Sequence, residues 1–265
     1  MLIEDMAILD KDKLACRSKL QLAISIKSCD FNERFQWALE NSMALEYTLD
    51  SRNANIVKGQ IEQAINANMP LRYHGLFPSY DIGHSYDRRA QAAIKMHLQA
   101  LDNIYEVGGR EVTFHIRGKD PVHFNVARAL KNLSLIVDYG KSLGITVCLE
   151  NLKYGPTSNP QTLASWAQQV GAGITWDVGH MLSSKVFQKG DYSEEDYIRF
   201  FKSNLCEAHI YGYEAERHYP FSNVDDITSV LDSLIHNRCY WWTIELENLE
   251  DVEYTKKAIL EYLYS

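Results

Sequence analysis

The sequence predicts an α/β fold, a single (β/α)8 TIM barrel that spans residues 1–265 as one domain. Eight short β-rich runs recur along the chain, amphipathic helical segments separate them, and no linker or change of composition divides them. Alternating strands and helices favour right-handed βαβ units around a parallel sheet. Eight such units in about 250 residues are typical of this barrel.

The predicted strands follow one another at regular intervals and are rich in β-branched and aromatic residues. They are Leu20–Ile26, Met43–Leu49, Pro70–Phe77, Glu111–Gly118, Ile145–Asn151, Ala172–Gly179, Cys206–Tyr213 and Tyr240–Glu247. The first run leads into Lys27–Phe31, which contains no glycine. A doubly wound open sheet usually has a glycine-rich phosphate loop there, so the barrel is the preferred architecture.

The segments between the strands show helical periodicity. Arg89–Val107 carries apolar side chains at intervals of three or four residues, which is typical of an amphipathic helix. Asn125–Leu143 has the same pattern and is followed by Gly144, the residue type that ends many helices. Ser193 precedes three acidic residues and so predicts a capped helix with an acidic first turn.

Composition excludes several classes of protein. The chain has 27 Lys and Arg against 35 Asp and Glu, a formal net charge of −8, which disfavours broad adsorption to nucleic acid or membrane surfaces. It has no apolar run of the roughly 20 residues that span a membrane, and its charged N-terminus does not resemble a secretory signal. The five cysteines show no CxxC spacing, which indicates reduced thiols. We therefore expect a cytoplasmic protein with no membrane partner.

Polar residues recur near the carboxyl ends of six successive predicted strands. They are His74, His115, Glu150, Asp177, His209 and Glu245. Apolar neighbours flank three of them, His115, Asp177 and Glu245, so alternation along the strand turns the polar side chains into the barrel mouth. Barrel enzymes place their chemistry there. Glu247 has the same parity as Glu245 and stays open as an alternative, although Glu245 follows the strand more directly.

These residue types predict a metal centre. Three imidazoles and three carboxylates in one cavity would be poorly solvated without a cation. Imidazole nitrogen and carboxylate oxygen are ligands of Zn²⁺, Mn²⁺ and Fe²⁺. The remaining histidines, His84, His97, His123 and His236, are interpreted as packing or surface residues.

At Glu150, Asp177–His180, His209 and Glu245 the sequence resembles the xylose isomerase-like TIM-barrel superfamily. This superfamily contains sugar and sugar-phosphate isomerases and epimerases, and also the endonuclease IV hydrolases (AP endonuclease family 2). The resemblance implies that Glu150, Asp177, His209 and Glu245 bind one shared divalent metal. It also implies that His180 contacts the substrate, as in epimerases, or a further metal, as in the nuclease branch.

Two further segments bear on the choice between these branches. Arg217 and Pro220 resemble the Arg-x-x-Pro segment whose arginine contacts the substrate of some epimerases. Glu216–His218 resembles the Asp-x-His of the nuclease branch, with glutamate in place of aspartate. His74 and His115 match positions that complete a multi-zinc cluster in that branch. The glycine-rich turn that usually follows the proline is replaced here by residues 221–225, so the loop over the substrate differs from that of other members.

The preferred hypothesis is a metal-dependent isomerase or epimerase of a sugar or sugar phosphate, because the superfamily contains more such activities. Glu150 and Glu245 would transfer a proton beside a metal-bound carbonyl. The predicted substrate contacts are His180, Arg117, Arg217 and Glu46. The predicted partner is a small, carbohydrate-like molecule; nucleic acid is possible but not favoured, and the oligomeric state stays open.

A multi-metal hydrolase of a phosphoester or amide is the close alternative. Its ligands would be Glu150, Asp177, His209 and Glu245, with His74, His115, His180 and His218 added for a multi-metal site. The predicted cofactor is thus Zn, Mn, Fe or Mg, at one to three ions per chain. A barrel that binds metal or ligand without catalysis is the minor alternative.

Overall fold

A computed structural model describes residues 12–49, 55–118 and 120–264. Its ten strands are β1 (Gln21–Lys27), β2 (Ala44–Leu49), β3 (Leu71–Gly75), β4 (Glu111–Phe114), β5 (Thr146–Glu150), β6 (Gly173–Asp177), β7 (Leu205–Ile210), β8 (Tyr213–Glu214), β9 (His218–Tyr219) and β10 (Trp241–Ile244). Eight of them, β1 to β7 and β10, pair in parallel and close into one barrel. The predicted (β/α)8 TIM barrel is confirmed.

Helices cover the outside of the barrel. They are α1 (residues 12–17), α2 (Phe31–Glu40), α3 (Lys58–Asn66), α4 (Asp87–Glu106), α5 (Val126–Ser142), α6 (Pro160–Val170), α7 (Val178–Ser183), α8 (Lys185–Gln188), α9 (Glu194–Phe201), α10 (Thr228–His236) and α11 (Leu249–Tyr264). Short 3-10 helices lie at Pro121–His123, Pro156–Ser158 and Val224–Ile227. No helix in the described ranges is long and apolar enough to cross a membrane.

The predicted helix boundaries hold at the positions where capping chemistry marks them. Ser193 and Asp196 form a capping box at the start of α9, and Gly144 follows α5 in the left-handed conformation at φ 71°. The buried face of α4 includes Ile94, Leu101 and Ile104. Leu101 and Ile104 belong to the apolar layer between strands and helices.

Several strands are shorter than predicted at their carboxyl ends. β4 ends at Phe114 instead of Gly118, and β10 ends at Ile244 instead of Glu247. The predicted run Ala172–Gly179 also divides, because Val178 and Gly179 already belong to α7. His115 and Glu245 therefore lie just past the last paired residue of their strands, where the chain turns across the barrel mouth.

Inside the barrel, side chains of alternate residues form layers. On β3 the inward residues are Arg72 and then His74, and on β7 they are Glu207 and then His209. The register aligns Thr243 of β10 with His209. The layer nearer the amino ends of the strands and the layer at the mouth are thus built by the same strands, two residues apart.

Candidate metal centre

The predicted polar residues meet at the carboxyl end of the barrel. The first group joins His74 of β3, His115 after β4 and Glu150 at the end of β5. Glu150 Oε2 lies 2.8 Å from His115 Nε2 and 3.3 Å from His74 Nε2. The two imidazole Nε2 atoms are 2.9 Å apart. Three potential ligand atoms therefore converge on one point.

The second group consists of Asp177, His209 and Glu245 and lies beside the first. His209 Nδ1 is 3.7 Å from Asp177 Oδ2 and 3.4 Å from Glu245 Oε2. It is also 3.7 Å from Glu150 Oε2, so Glu150 stands between the two groups. These ligand atoms are about as far apart as those of a tetrahedral site with bonds of about 2.1 Å, which are roughly 3.4 Å from one another.

A third group, His180, Glu214 and His218, lies nearer the solvent. His180 follows β6 as the third residue of α7, and Glu214 and His218 pair with each other across the β8–β9 hairpin. His180 Nε2 is 3.3 Å from Glu214 Oε2. The structure thus brings together all eight predicted ligands, histidines and carboxylates alike, and adds Glu214.

Buried ligand atoms without a hydrogen bond show that the centre fits a cation. Glu150 Oε1, Asp177 Oδ2 and His209 Nδ1 are buried, and no residue in the described part of the chain forms a hydrogen bond to them. Such atoms are costly when they lack a partner. Carboxylate and imidazole ligands at these spacings are those that Zn²⁺ and similar divalent ions take.

Neighbouring residues fix the orientation of the ligands. Asn151 accepts a hydrogen bond from the backbone N–H of Asp177 and donates one to its backbone oxygen, at 2.9 and 2.7 Å. His180 Nδ1 donates to the Asn151 carbonyl at 3.0 Å, which leaves Nε2 to face the third group. His209 Nε2 donates to Glu46 Oε1 at 3.2 Å, and a carboxylate behind a histidine ligand sets its tautomer.

Glu46 lies behind His209. The carboxylate is fully buried and is not part of the cavity wall, a position that favours support of His209 over the predicted contact with a substrate. Its inward parity on β2 was correctly inferred. It was expected at the cavity wall because one sequence cannot show how deep an inward-facing residue lies.

His218 is held against Tyr211 by stacking. The two rings are 4.0 Å apart at an angle of 6°, and His218 Nδ1 donates to the Glu245 carbonyl at 2.8 Å. Tyr211 itself lies against Gly179, where a Cβ atom would come within 2.0 Å of its ring. The glycine of the Asp-x-Gly-His motif is therefore needed for this close approach.

Burial and charge compete in setting the protonation of the cluster. Burial disfavours the charged form of His74, but the adjacent carboxylates of Glu150 and Glu245 outweigh it and raise its pKa to about 10. Burial lowers the pKa of His115 to about 4 against the attraction of Glu150. Burial alone would raise the pKa of Glu150, but His115 and His209 hold this pKa well below its ordinary value. Because metal-bound imidazole is neutral, cation binding must release protons from this cluster.

A cavity of about 290 Å³ opens above the centre. His74, His115, His180, His218 and Glu245 lie on its wall, whereas Glu150, Asp177 and His209 do not. The predicted contact Arg117 also lines it, donates to the Tyr154 hydroxyl at 2.9 Å, and has a buried Nε without a hydrogen bond in the described chain. Arg217 lines the cavity as well, but it is paired with Asp251 at 3.1 Å.

Three residues of the site were missed in the sequence. Glu214 follows a predicted strand and was passed over for Glu216, and Lys153, 3.1 Å from Glu214, lies in a loop. Arg34 lines the cavity and donates to the carbonyls of three residues, Ser25, Leu246 and Glu247, at 2.7 to 2.9 Å. The strands that pair Glu214 with His218 contain two residues each and are too short to leave a pattern in the sequence.

A closed parallel barrel with histidines and carboxylates gathered at its mouth defines a class of TIM-barrel proteins with a candidate metal centre. The family model described as xylose isomerase-like TIM barrel matches residues 40–264. Since this match covers most of the chain, the protein belongs to that family.

Individual relatives are more distant. The uncharacterized protein MJ0008 of Methanocaldococcus jannaschii is 28% identical over 166 residues, which are 62% of this chain and 72% of MJ0008. The TTHB071 protein of Thermus thermophilus, soaked with ZnCl2, is 16% identical with a TM-score of 0.71 and a coverage of 92% of this chain and 98% of its own.

Two other solved structures are named as epimerases or as similar to one. A D-tagatose 3-epimerase-like protein is 16% identical, with a TM-score of 0.73 and coverage of 92% and 97%. The 3-keto-D-glucoside 4-epimerase YcjR of E. coli is 15% identical, with a TM-score of 0.67 and coverage of 93% and 99%. At these identities the likeness shows the common fold.

Proposed function

We propose that this protein is a divalent-metal-dependent hydrolase of a small phosphoester and that it uses more than one metal. The environment of Glu150 carries the proposal. Its Oε2 contacts the imidazoles of His115 and His74, and its Oε1 lies 3.1 Å from Nδ1 of His180. A carboxylate enclosed by imidazoles and set below the cavity suits a ligand shared between metals better than a base that must reach a substrate carbon.

The residues that would hold the metals are those of the three groups, with Glu150 common to the first and second. Bound there, the ions would polarise the phosphoryl oxygens and activate water. Zn²⁺ matches the ligand set best because histidines contribute to every group. The fit with Mn²⁺ or Fe²⁺ is also chemically sound, whereas Mg²⁺ prefers oxygen ligands.

The chain itself supplies binding and orientation. Arg117 forms no ion pair with a carboxylate in the described ranges, and it lies on the cavity wall, where its guanidinium would meet a phosphate oxygen. Guanidinium groups bind phosphate with well-defined geometry. The cavity volume of about 290 Å³ suits a small molecule, which supports a carbohydrate-like phosphoester more than a nucleic acid.

Sugar isomerisation or epimerisation is the second candidate, because several structures with this fold are named as sugar epimerases. A two-base epimerase needs two carboxylates that touch the substrate. Glu245 lies on the cavity wall, but Glu150 does not. The position of Glu150 therefore supports the hydrolase over the epimerase, which the larger number of such activities in the superfamily had favoured.

One experiment separates the candidates. The purified protein loaded with Zn²⁺ or Mn²⁺ is assayed for phosphate release from sugar phosphates and nitrophenyl phosphates, and for deuterium exchange into ketoses by NMR. We expect phosphate release that is lost with a chelator and in Glu245→Gln, and no exchange. Exchange without phosphate release would favour the epimerase, and neither activity across a broad panel would contradict both.

The metal content of the same preparation is measured by elemental analysis. Two or more ions per chain are expected. A single ion, bound through Asp177, His209 and Glu245, would contradict the multi-metal hydrolase even if the protein proved active.

A further inference from the structure

The β8–β9 hairpin decides which carboxylate belongs to the third group. In its antiparallel register Glu214 lies directly opposite His218, and directly opposite residues project from the same face of a sheet. Glu216 lies between the two strands, at the tip of the hairpin, and is exposed. Glu216 lines the cavity but belongs to none of the three groups, and the hydroxyl of Tyr219 donates a hydrogen bond to its carboxylate.

Glu214, in contrast to Glu216, is held with its carboxylate toward His180. Its backbone N–H donates to the Ser183 hydroxyl at 2.7 Å, which ties the hairpin to α7, the helix that carries His180. Its Oε2 faces His180 Nε2 at 3.3 Å. Glu214 therefore takes the position that the sequence motif assigned to Glu216.

Lys153 distinguishes the third group from the other two. Its Nζ lies 3.1 Å from Glu214 Oε2, the same oxygen that faces His180, and 3.5 Å from the Glu214 carbonyl. Within residues 12–49, 55–118 and 120–264, no lysine or arginine forms an ion pair with Glu150, Asp177 or Glu245. Among the three groups, a lysine or arginine of the described chain is thus paired with a ligand carboxylate in the third group alone.

An ammonium group beside a ligand oxygen neutralises part of its charge and repels a second cation. We infer that Glu214, not Glu216, completes the third metal position and that Lys153 weakens this position, so that the centre holds two metals tightly and a third one loosely. This inference rests on the proposed multi-metal function. It defines a graded centre in which Lys153 and the third metal compete for one carboxylate oxygen.

Zinc titration of the whole protein tests the inference. Protein stripped with a chelator is dialysed against buffered Zn²⁺, and bound zinc is measured by elemental analysis. In the wild type we expect two tightly bound ions and a third bound at least tenfold more weakly. Lys153→Met should tighten the third ion about tenfold or more, Glu214→Gln should abolish it, and Glu216→Gln should leave all three unchanged.

Lys58→Met serves as the matched control, because Lys58 forms an exposed pair with Glu106 at 2.6 Å, and neither residue lines the cavity or belongs to the three groups. Circular dichroism checks folding, and Lys153→Gln repeats the test if the methionine variant does not fold. Three equally tight ions in the wild type would overturn the inference, as would weaker zinc binding in Lys153→Met or loss of the third ion in Glu216→Gln.

The outcomes also separate this inference from the proposed function. If the wild type binds two or three ions but the variants respond in the wrong pattern, only the graded centre is contradicted. If it binds one ion or none, the multi-metal hydrolase itself is contradicted.

Discussion

Two adjacent layers inside the barrel are built by the same strands but differ in how their polar side chains are paired. In the lower layer, Arg72 lies 3.3 Å from Glu207 and 2.7 Å from Glu111, and Thr243 donates to Glu207 at 2.9 Å. Two residues further along β3 and β7, His74 and His209 each leave a buried Nδ1 without a hydrogen bond in the described chain.

This difference separates a layer that stabilises the barrel from a layer that is suited to bind a ligand. In the lower layer the charged side chains pair with one another, Arg72 with Glu207 and with Glu111, so this layer stabilises the barrel without a ligand. The upper layer is incomplete as protein alone, and burial without partners persists where binding compensates for it. Substitutions in the upper layer should therefore affect metal content, and those in the lower layer should affect unfolding.

The largest expected effect comes from Glu150→Gln. The amide removes the charge shared by the first two groups, so we expect most tightly bound metal to be lost. Activity should fall by more than the roughly 10- to 100-fold that loss of an outer partner costs. Metal analysis and turnover measure the change. Glu207→Gln is the control one layer below, and a similar loss of metal in that variant would remove the distinction between the layers.

Arg72→Met should act on stability instead. It leaves Glu207 buried without its cation, and breaking a buried pair costs roughly 3 to 5 kcal/mol. Burial already raises the pKa of Glu207 to about 8, so its carboxyl can take up a proton. The loss of unfolding free energy should therefore lie at the lower end of this range, about 3 kcal/mol. Urea unfolding measures it. The double variant with Glu207→Leu should recover much of the loss, while metal content stays at the wild-type level in both; depleted metal would contradict this.

His97 provides a polar group in a third environment, the apolar layer between β-strands and helices. Burial lowers its pKa to about 4, and its ring contacts Phe77 and Phe114. The folded protein favours the neutral form of His97. The contribution of this residue to the unfolding free energy is therefore complete above the unfolded pKa of about 6.5 and is lost as pH falls toward 4.

The difference between the unfolded and folded pKa of His97 corresponds to about 3 kcal/mol of unfolding free energy. The fall in unfolding free energy between pH 7 and pH 4.5 should therefore be smaller in His97→Leu than in the wild type by about 2 to 3 kcal/mol. Urea unfolding at both values measures this difference. Identical pH profiles of the two proteins would show that His97 does not resist protonation.

The smallest effect is expected from Glu46→Leu, which removes the acceptor behind His209. Metal affinity should fall roughly 10- to 100-fold, and Glu46→Gln, which retains an acceptor oxygen, should lose less. Competition with a chelator measures both. Thr48→Val is the matched control on the same strand, because Thr48 lines the cavity and has no bond to a ligand; equal losses in all three variants would contradict the role of Glu46.

Much of the fold and the centre follows from local patterns. The strand–helix alternation predicts the barrel, and parity along single strands predicts the convergence of His74, Asp177 and His209, because a closed barrel turns every second residue inward. The patterns end where the strands end. β8 and β9 contain two residues each, too few to show periodicity, so the position of Glu214 could not be predicted.

Other features depend on depth and on long-range contact. Glu46 has the parity of a mouth residue, and only its distance along β2 from the cavity shows that it supports His209. Lys153 meets Glu214 across 61 residues of sequence, a contact that neither residue's local surroundings indicate. The distinction between the two reactions depended on such contacts, since the enclosure of Glu150 involves residues of several strands and loops.

The close approach of Gly179 to the Tyr211 ring has an evolutionary consequence. An alanine at position 179 would collide with the Tyr211 ring, which also supports His218. A mutation in α7 would therefore displace a ligand on the β8–β9 hairpin. Descendants of this protein can exchange the residue at position 179 only together with the one at 211. The two positions should therefore vary as a pair among its homologues, even where the reaction catalysed at the barrel mouth has changed.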